Sequence, residues 1–159
     1  MEHKLLQSTL LSARQACESS GKKLTEKRQR VLEILLKAEG PMSAYELIDA
    51  YNQVTESPIM AMSVYRILDF LESVRLVHRL HSANKYMPCN SSCGSCQHLV
   101  SAFLICKSCQ KVSEVETSEN IVSELLKIAG KKGYSLSETQ LELAGVCQNC
   151  HSTADLNSN

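Results

Sequence analysis

Two pairs of cysteines, each with two residues between its members, limit most strongly what this chain can fold into. One pair is Cys106 and Cys109, and the other is Cys147 and Cys150. A Cys-x-x-Cys turn presents two sulfurs to one metal ion, and two such turns complete a tetrahedral four-thiolate site. Zinc is the expected metal because it is redox-inert and prefers tetrahedral sulfur in structural sites. The pattern therefore predicts a structural zinc site.

The cellular compartment decides whether the cysteines bind metal or form disulfides. Residues 1–4 lack the basic-then-apolar pattern of a secretory signal. Polar residues interrupt every apolar run before it reaches the length of a membrane span. We therefore expect a cytoplasmic protein whose eight cysteines are thiolates rather than disulfides. A thioredoxin-like redox pair and cysteines that only pack are the competing interpretations, and two pairs in one small region favour zinc.

The 37 residues between the two cysteine pairs form more than a zinc-ribbon loop. They contain a helical pattern from Ser118 to Lys132, which Gly133 ends, between strand-like segments at Val112–Val115 and Gln140–Leu143. The zinc is therefore expected to join the far ends of an αβ unit.

The first half of the chain has helical periodicity up to residue 73. The segments 4–19, 26–36 and 44–51 each repeat apolar residues at helical spacing. Ser43 and Glu46, three residues apart, form a capping-box pattern for the third segment. Cys17 falls on the apolar side of the first segment, 4–19, and is expected to be a small buried hydrophobic residue.

A fourth helical segment, residues 61–73, is the most informative. Its apolar residues at i, i+3, i+4 and i+7 form one buried stripe, and these are Val64, Ile67, Leu68 and Leu71. Ser63, Tyr65 and Arg66 are turned to other sides, as in a helix that enters a DNA major groove. Strand-like segments at 77–80 and 85–87 follow around a short turn. Together these elements predict a winged helix-turn-helix, with a small helical packing domain as the alternative.

The fold class is therefore α+β, a winged helix-turn-helix followed by a small αβ domain with a structural zinc site. We predict a DNA-binding domain at 1–84, a hinge at 85–96, a zinc domain at 97–152, and a flexible tail at 153–159. The net charge is zero, so charge alone does not indicate a nucleic-acid partner. Lys27 and Arg28 are candidates for phosphate contacts, although such charges are usually only solvated.

A second group of metal-binding residue types lies between the wing and the second domain. A lone histidine is more often a surface or core residue than a ligand, but a cluster beside a zinc domain raises the expectation of a site. Its members are His78, His81, Cys89, Cys93, Cys96, His98 and Glu114.

Several motifs together resemble those of a known family. They are LTEKRQRVL at 24–32, SAYEL at 43–47, SVYRILDFL at 63–71, Val77-His78, Tyr86 before Cys89, and both Cys-x-x-Cys pairs. The chain resembles the ferric uptake regulators, and most closely their zinc uptake regulator branch. The resemblance covers the chain up to Ser152.

This resemblance implies a homodimer whose second domains share a sheet, which makes residues 97–152 a dimerisation and zinc-binding domain. It also implies a structural zinc at Cys106, Cys109, Cys147 and Cys150. It further implies a regulatory zinc at the hinge, and so two zinc ions per subunit. The implied ligands of the second zinc are His78, Cys89, His98 and Glu114. Tyr45 and Arg66 match positions that read bases in that branch.

The region before Cys106 departs from the zinc-branch pattern. The segment from His98 to Cys106 is one residue longer, and Cys93 and Cys96 are additional thiols, so either is an alternative to His98 or a spare ligand. The histidine-rich stretch of iron and peroxide sensors is absent there. A cysteine with histidine and carboxylate suits borderline-soft zinc, whereas iron(II) favours nitrogen and oxygen.

These features predict a zinc-responsive repressor of zinc-uptake genes that binds a palindromic DNA operator. An iron, nickel or peroxide sensor is the alternative within the family. A zinc-binding enzyme, a thiol redox protein or a zinc-buffering protein is the alternative from another class. We expect no enzyme and no small-molecule substrate, because an enzyme needs an open metal position or an activated nucleophile, and no other catalytic pattern is present.

Overall fold

Six helices and five strands make up the part of the chain that the computed structural model describes, which is residues 2–89, 100–115, 117–136 and 139–155. They fall into two units, Met1–Cys96 and Gln97–Asn159. Within the described residues, no helix combines the length and the apolar character needed to cross a bilayer.

The first unit contains four helices and a hairpin. The helices are α1 (Glu2–Ser19), α2 (Glu26–Lys37), α3 (Ala44–Val54) and α4 (Ala61–Ser73). The predicted capping box at the start of α3 is confirmed. The Glu46 amide donates to Ser43 Oγ over 3.2 Å, and the Ser43 amide donates to the Glu46 carboxylate over 2.6 Å. These bonds satisfy amides that the first turn of a helix leaves unpaired.

The core of the first unit lies between its helices. All four residues of the predicted stripe on α4 are buried, together with Val31, Leu32 and Leu35 of α2. Cys17 of α1 is fully buried in the same core, as expected. The core therefore fixes which sides of α3 and α4 face outwards.

A hairpin follows α4 and forms the wing. Strand β1 (Val77–Leu80) pairs antiparallel with β2 (Lys85–Pro88), with His78 opposite Met87. Met42, just before α3, exchanges backbone hydrogen bonds with Tyr86 over 2.9 and 2.7 Å. Residues 85–88, which our domain boundary assigns to the hinge, are thus the second strand of the wing.

The second unit is a three-stranded sheet with two helices. Its elements are β3 (Val100–Cys106), β4 (Val112–Val115), α5 (Glu119–Lys131), β5 (Thr139–Gly145) and α6 (Gln148–Asp155). The strand order is β4-β3-β5, with β4 antiparallel and β5 parallel to β3. Strand β3 and helix α6 are absent from our sequence-based assignment, and α6 extends into the segment predicted as a tail. The α+β class is confirmed.

Candidate metal centres and nucleic-acid interface

The first candidate metal centre is built by the parallel pairing of β3 and β5. The two strands are in register as far as Cys106 and Gly145, and the Lys107 amide donates to the Gly145 carbonyl over 2.8 Å. The carboxyl ends of the two strands are therefore neighbours. Each end leads directly into one Cys-x-x-Cys turn, so the pairing brings the two turns together.

The four sulfurs of these turns have the spacing of a tetrahedral zinc site. One ligand atom from each of Cys106, Cys109, Cys147 and Cys150 lies within 4.8 Å of the others. Cys109 Sγ and Cys147 Sγ are 3.7 Å apart. A zinc–sulfur bond of about 2.3 Å and tetrahedral angles place two sulfurs roughly 3.8 Å apart. A disulfide requires about 2.05 Å, so the cluster fits a metal ion and not a cross-link.

The electrostatics of the cluster also favour a cation. Backbone amides, first that of Cys109 and then that of Cys147 at 3.3 Å, donate to Cys106 Sγ and lower the pKa of this thiol from 9.0 to about 6. By contrast, hydrogen bonds to the Cys147 and Cys109 side chains raise the pKa of Cys150 to about 12. The thiols cannot all ionise easily side by side, because each thiolate repels the next. A bound dication removes this repulsion and deprotonates its thiol ligands.

A second candidate centre begins on the wing hairpin. The Cys89 amide donates to the Leu76 carbonyl over 2.9 Å, which continues the β1–β2 ladder by one step. Cys89 and Leu76 are thus opposite each other, and His78 lies two residues after Leu76, on the same face. Ligand atoms of His78 and Cys89 lie within 4.8 Å of each other, and both residues are half-buried.

The other predicted ligands of the second centre lie elsewhere in the chain. Glu114 is on β4, opposite Phe103 of β3, and is half-buried. His98 and the alternatives Cys93 and Cys96 lie outside the described residues. His81 is exposed at the wing turn. The regulatory role of these residues stays a prediction.

The predicted DNA-reading residues differ in exposure. Tyr45, the second residue of α3, is 71% exposed, and Arg66 of α4 is also exposed. Ser63 is half-buried, and Tyr65 is partly buried against the core of the first unit. Tyr45 and Arg66 are thus the most accessible of the four predicted contacts.

The two predicted phosphate contacts have different surroundings. Lys27 is exposed on α2. The Arg28 guanidinium instead lies 3.5 Å from the centroid of the Phe70 ring and donates to the Lys23 carbonyl over 2.7 Å. Arg28 therefore joins the start of α2 to α4 through a cation–π contact, and its phosphate contact stays a prediction.

Two methionines at the start of α4 are absent from our sequence-based set. Met60, the N-cap residue, is 76% exposed, and Met62 is 64% exposed. The sequence contains the signal for Met62, because it lies four residues before Arg66 and opposite the apolar stripe of the helix. The predicted contacts on this helix, Ser63, Tyr65 and Arg66, are all polar side chains.

Comparison with known proteins identifies the family. The model of the ferric uptake regulator family matches residues 19–144. The zinc uptake regulation protein of Escherichia coli (strain K12) is 32% identical over 156 residues, covering 94% of this chain and 85% of the relative. The chain belongs to the ferric uptake regulator family. The predicted resemblance is therefore confirmed.

Further relatives and solved structures agree with this membership. The ferric uptake regulation protein of Synechococcus elongatus is 30% identical, covering 89% of this chain and 95% of the relative. A structure of a zinc uptake regulator complexed with zinc and DNA has a TM-score of 0.84 and 31% identity, covering 94% of this chain and 97% of its own. The structure of holo XcZur has a TM-score of 0.78 and 34% identity, covering 90% and 96%.

Proposed function

We propose that this family member is a cytoplasmic, zinc-responsive repressor of zinc-uptake genes that binds a palindromic operator as a zinc-loaded homodimer. The observation that carries the proposal is the position of His78 and Cys89 on the wing hairpin, with ligand atoms within 4.8 Å of each other. The wing follows α4, the helix proposed to enter DNA, after three residues. A metal held there therefore acts directly on a DNA-binding element. The likeness to a zinc uptake regulator complexed with zinc and DNA supports zinc and DNA as the two binding partners of this protein.

Each subunit is proposed to hold two zinc ions with different roles. The four-cysteine site is structural, because four thiolates close the tetrahedron and leave no open position. The regulatory site takes His78 and Cys89 from the first unit, with Glu114 and His98 as its remaining ligands. Cys93 and Cys96 are alternatives to His98. One sulfur with nitrogen and carboxylate ligands suits zinc, which is borderline-soft.

The regulatory zinc would act by linking the two units of each chain. With zinc bound, His78 and Cys89 are held to ligands of the second unit, which sets the distance between the two DNA-binding units of a dimer. That distance must match the half-site spacing of a palindrome. Without zinc, ordering the units on DNA costs affinity. Such coupling is typically worth ~1–3 kcal/mol, and DNA must raise zinc affinity by the same factor.

The proposed DNA contacts divide into base reading and positioning. Tyr45 and Arg66 read bases, since arginine can bond guanine with two hydrogen bonds in the major groove. Ser63 and Tyr65 precede Arg66 in the N-terminal part of α4. Lys27 is the proposed phosphate contact with the most accessible charge, and Arg28 is the other. Phosphate contacts set the register of a protein on DNA without reading sequence.

The homodimer is proposed to form through the second unit. Of the described residues of α5, only Val122 is buried. Among the described residues of this unit, eight large apolar ones are at least 39% exposed, and large exposed apolar surface marks interfaces. They are Leu104, Ile121, Leu126, Ile128, Tyr134, Leu136, Leu143 and Val146.

A regulator that responds to iron is the second candidate. The ferric uptake regulation protein of Synechococcus elongatus matches this chain at nearly the same identity as the zinc regulator of Escherichia coli. The thiolate of Cys89 beside His78 favours zinc over iron(II). Titrations with zinc, iron(II), nickel and manganese at buffered free concentrations distinguish these regulators from one another. A zinc-buffering or redox protein would bind no specific duplex at any metal concentration.

The test compares two histidines of the wing. A duplex is first enriched from a randomised library with the zinc-loaded wild-type protein, and its affinity is then measured by fluorescence anisotropy across buffered free zinc. His78→Ala and Cys89→Ala should abolish the zinc dependence and lower zinc content to one ion per subunit. His81→Ala, on the same hairpin, should retain both the zinc dependence of DNA binding and the zinc content of the wild-type protein. Unchanged zinc dependence in His78→Ala and Cys89→Ala would refute the proposed regulatory site.

A further inference from the structure

The outer face of α4 carries an apolar side chain where a polar one is expected. Val64, Ile67, Leu68 and Leu71 point into the core. At 100° per residue, Met62 and Arg66 lie on the opposite side of the helix, one turn apart. Met62 is nearer the N-terminus, and 64% of its surface is exposed. N-terminal residues of a recognition helix are those that meet base edges.

The exposure of Met62 belongs to a local cluster of exposed apolar residues. The described part of the first unit has five large apolar residues that are exposed, and three of them lie at the starts of α3 and α4. The five are Leu11, Tyr45, Val54, Met60 and Met62. Single exposed apolar residues are ordinary, but the concentration of three of them at the starts of α3 and α4 points to a surface that is covered in use.

Base edges in the major groove offer one apolar group. Adenine, guanine and cytosine present donors and acceptors there, whereas thymine adds its C5-methyl group. A thioether side chain makes no strong hydrogen bond, so it would leave polar edges unsatisfied but would bury a methyl group well. Methionine is also unbranched and adapts to the surface that it contacts.

We propose that Met62 is a specificity-determining residue that contacts a thymine C5-methyl group in each operator half-site, beside the base that Arg66 reads. This inference rests on the proposed function as a DNA-binding regulator. It adds that the preferred operator has a thymine at a fixed position in each half-site. The preference for thymine arises from the methyl group alone.

Replacement of thymine by deoxyuridine in the operator tests this contact, because it removes only the methyl group. The duplex is the one that zinc-loaded wild-type protein enriches from a randomised library, and each symmetric pair of thymines is replaced in turn. For one pair, wild-type affinity should fall about fourfold per methyl group, or about fifteenfold for two half-sites. Uniform affinity across all replacements would overturn the contact.

Three variants assign the methyl contact to one residue. Met62→Ala should bind thymine and deoxyuridine duplexes equally. Met62→Leu should retain most of the difference in affinity between the two duplexes. Met60→Ala is the matched control, because Met60 is more exposed but lies at the N-cap, outside the Arg66 face. Loss of the difference in Met60→Ala, or its persistence in Met62→Ala, would overturn the assignment. If zinc-loaded wild-type protein enriches no duplex, the proposed function itself fails and this inference with it.

Discussion

Cys109 Sγ and Cys147 Sγ lie 3.7 Å apart, although 38 positions separate them in the sequence. Cys109 follows β3 and Cys147 follows β5, so a metal ion bound between them would hold the ends of the parallel strands together. Parallel pairs require long connections, and closing them costs chain entropy. A bound metal would offset this cost in a unit whose described part has few buried residues.

The first prediction follows from the difference between a structural and a regulatory site. Cys147→Ser should abolish tight zinc binding at the four-cysteine site and unfold the second unit. Apparent binding free energies of structural zinc are about 10–16 kcal/mol, comparable to the whole stability of a domain. Zinc content per subunit and far-ultraviolet circular dichroism measure both effects.

Cys89→Ser is the control for this prediction. It should lose only the second, weaker zinc ion and retain the circular dichroism spectrum of the wild-type protein. Equal loss of structure in the two variants would show that the two sites do not differ in role.

The second prediction concerns Glu46, which connects the wing to α3. Its carboxylate accepts a hydrogen bond from the Ser43 amide and lies 3.6 Å from Lys85 Nζ on β2. Hydrogen bonds from the Ser43 amide and hydroxyl, and then the Lys85 charge, lower the pKa of Glu46 below 4.5. A lowered folded-state pKa stabilises the fold at neutral pH, and this contribution is lost as the pH falls through the lowered pKa.

Glu46→Gln should therefore destabilise the protein by up to about 1 kcal/mol at pH 7, the usual size of a capping contribution. Because Glu46 is half exposed, solvent screening keeps the Lys85 part of this effect small. The difference between variant and wild type should shrink as the pH falls below 4.5 and through the lowered pKa of Glu46. Urea unfolding of both proteins at matched pH measures it, and a pH-independent difference would exclude the carboxylate as its source.

Local patterns account for the parts of the fold that the sequence predicts. The Ser43–Glu46 capping box spans four residues, and the α4 stripe repeats within about two turns, so neither depends on distant residues. The four-cysteine cluster is also predictable, because tetrahedral zinc–sulfur geometry requires two Cys-x-x-Cys turns to meet. For this cluster, the coordination geometry of zinc predicts that the two turns meet, although they are distant in the sequence.

The features that the sequence does not predict depend on distant contacts. Strand β3 is a short apolar run, which periodicity cannot distinguish from a helix, and its identity depends on pairing with β4 and β5. The position of Arg28 over Phe70 depends on how α2 packs against α4. From sequence, Arg28 is simply one of several positive charges on α2.

The third prediction tests the proposed dimer surface. Leu104 of β3 and Leu143 of β5 are register partners, so their side chains lie on the same face of the sheet, and they are 45% and 54% exposed. Leu143→Glu should place a charge within the interface and shift the protein towards monomer. Analytical ultracentrifugation measures the shift. Val54→Glu, at an exposed apolar position in the first unit, is the control and should remain dimeric.

The last prediction separates Arg28 from its neighbour Lys27. The Arg28 guanidinium is engaged with Phe70 and the Lys23 carbonyl, so Arg28→Ala should lower the stability of the first unit by about 1 kcal/mol. Lys27 is exposed, and Lys27→Ala should leave stability unchanged. If Lys27 contacts a phosphate, its loss reduces the slope of log affinity against log salt by about 1 per subunit. Thermal unfolding and salt titrations of operator binding measure the two effects. A reduced salt slope in Arg28→Ala, with unchanged stability, would instead make Arg28 the phosphate contact.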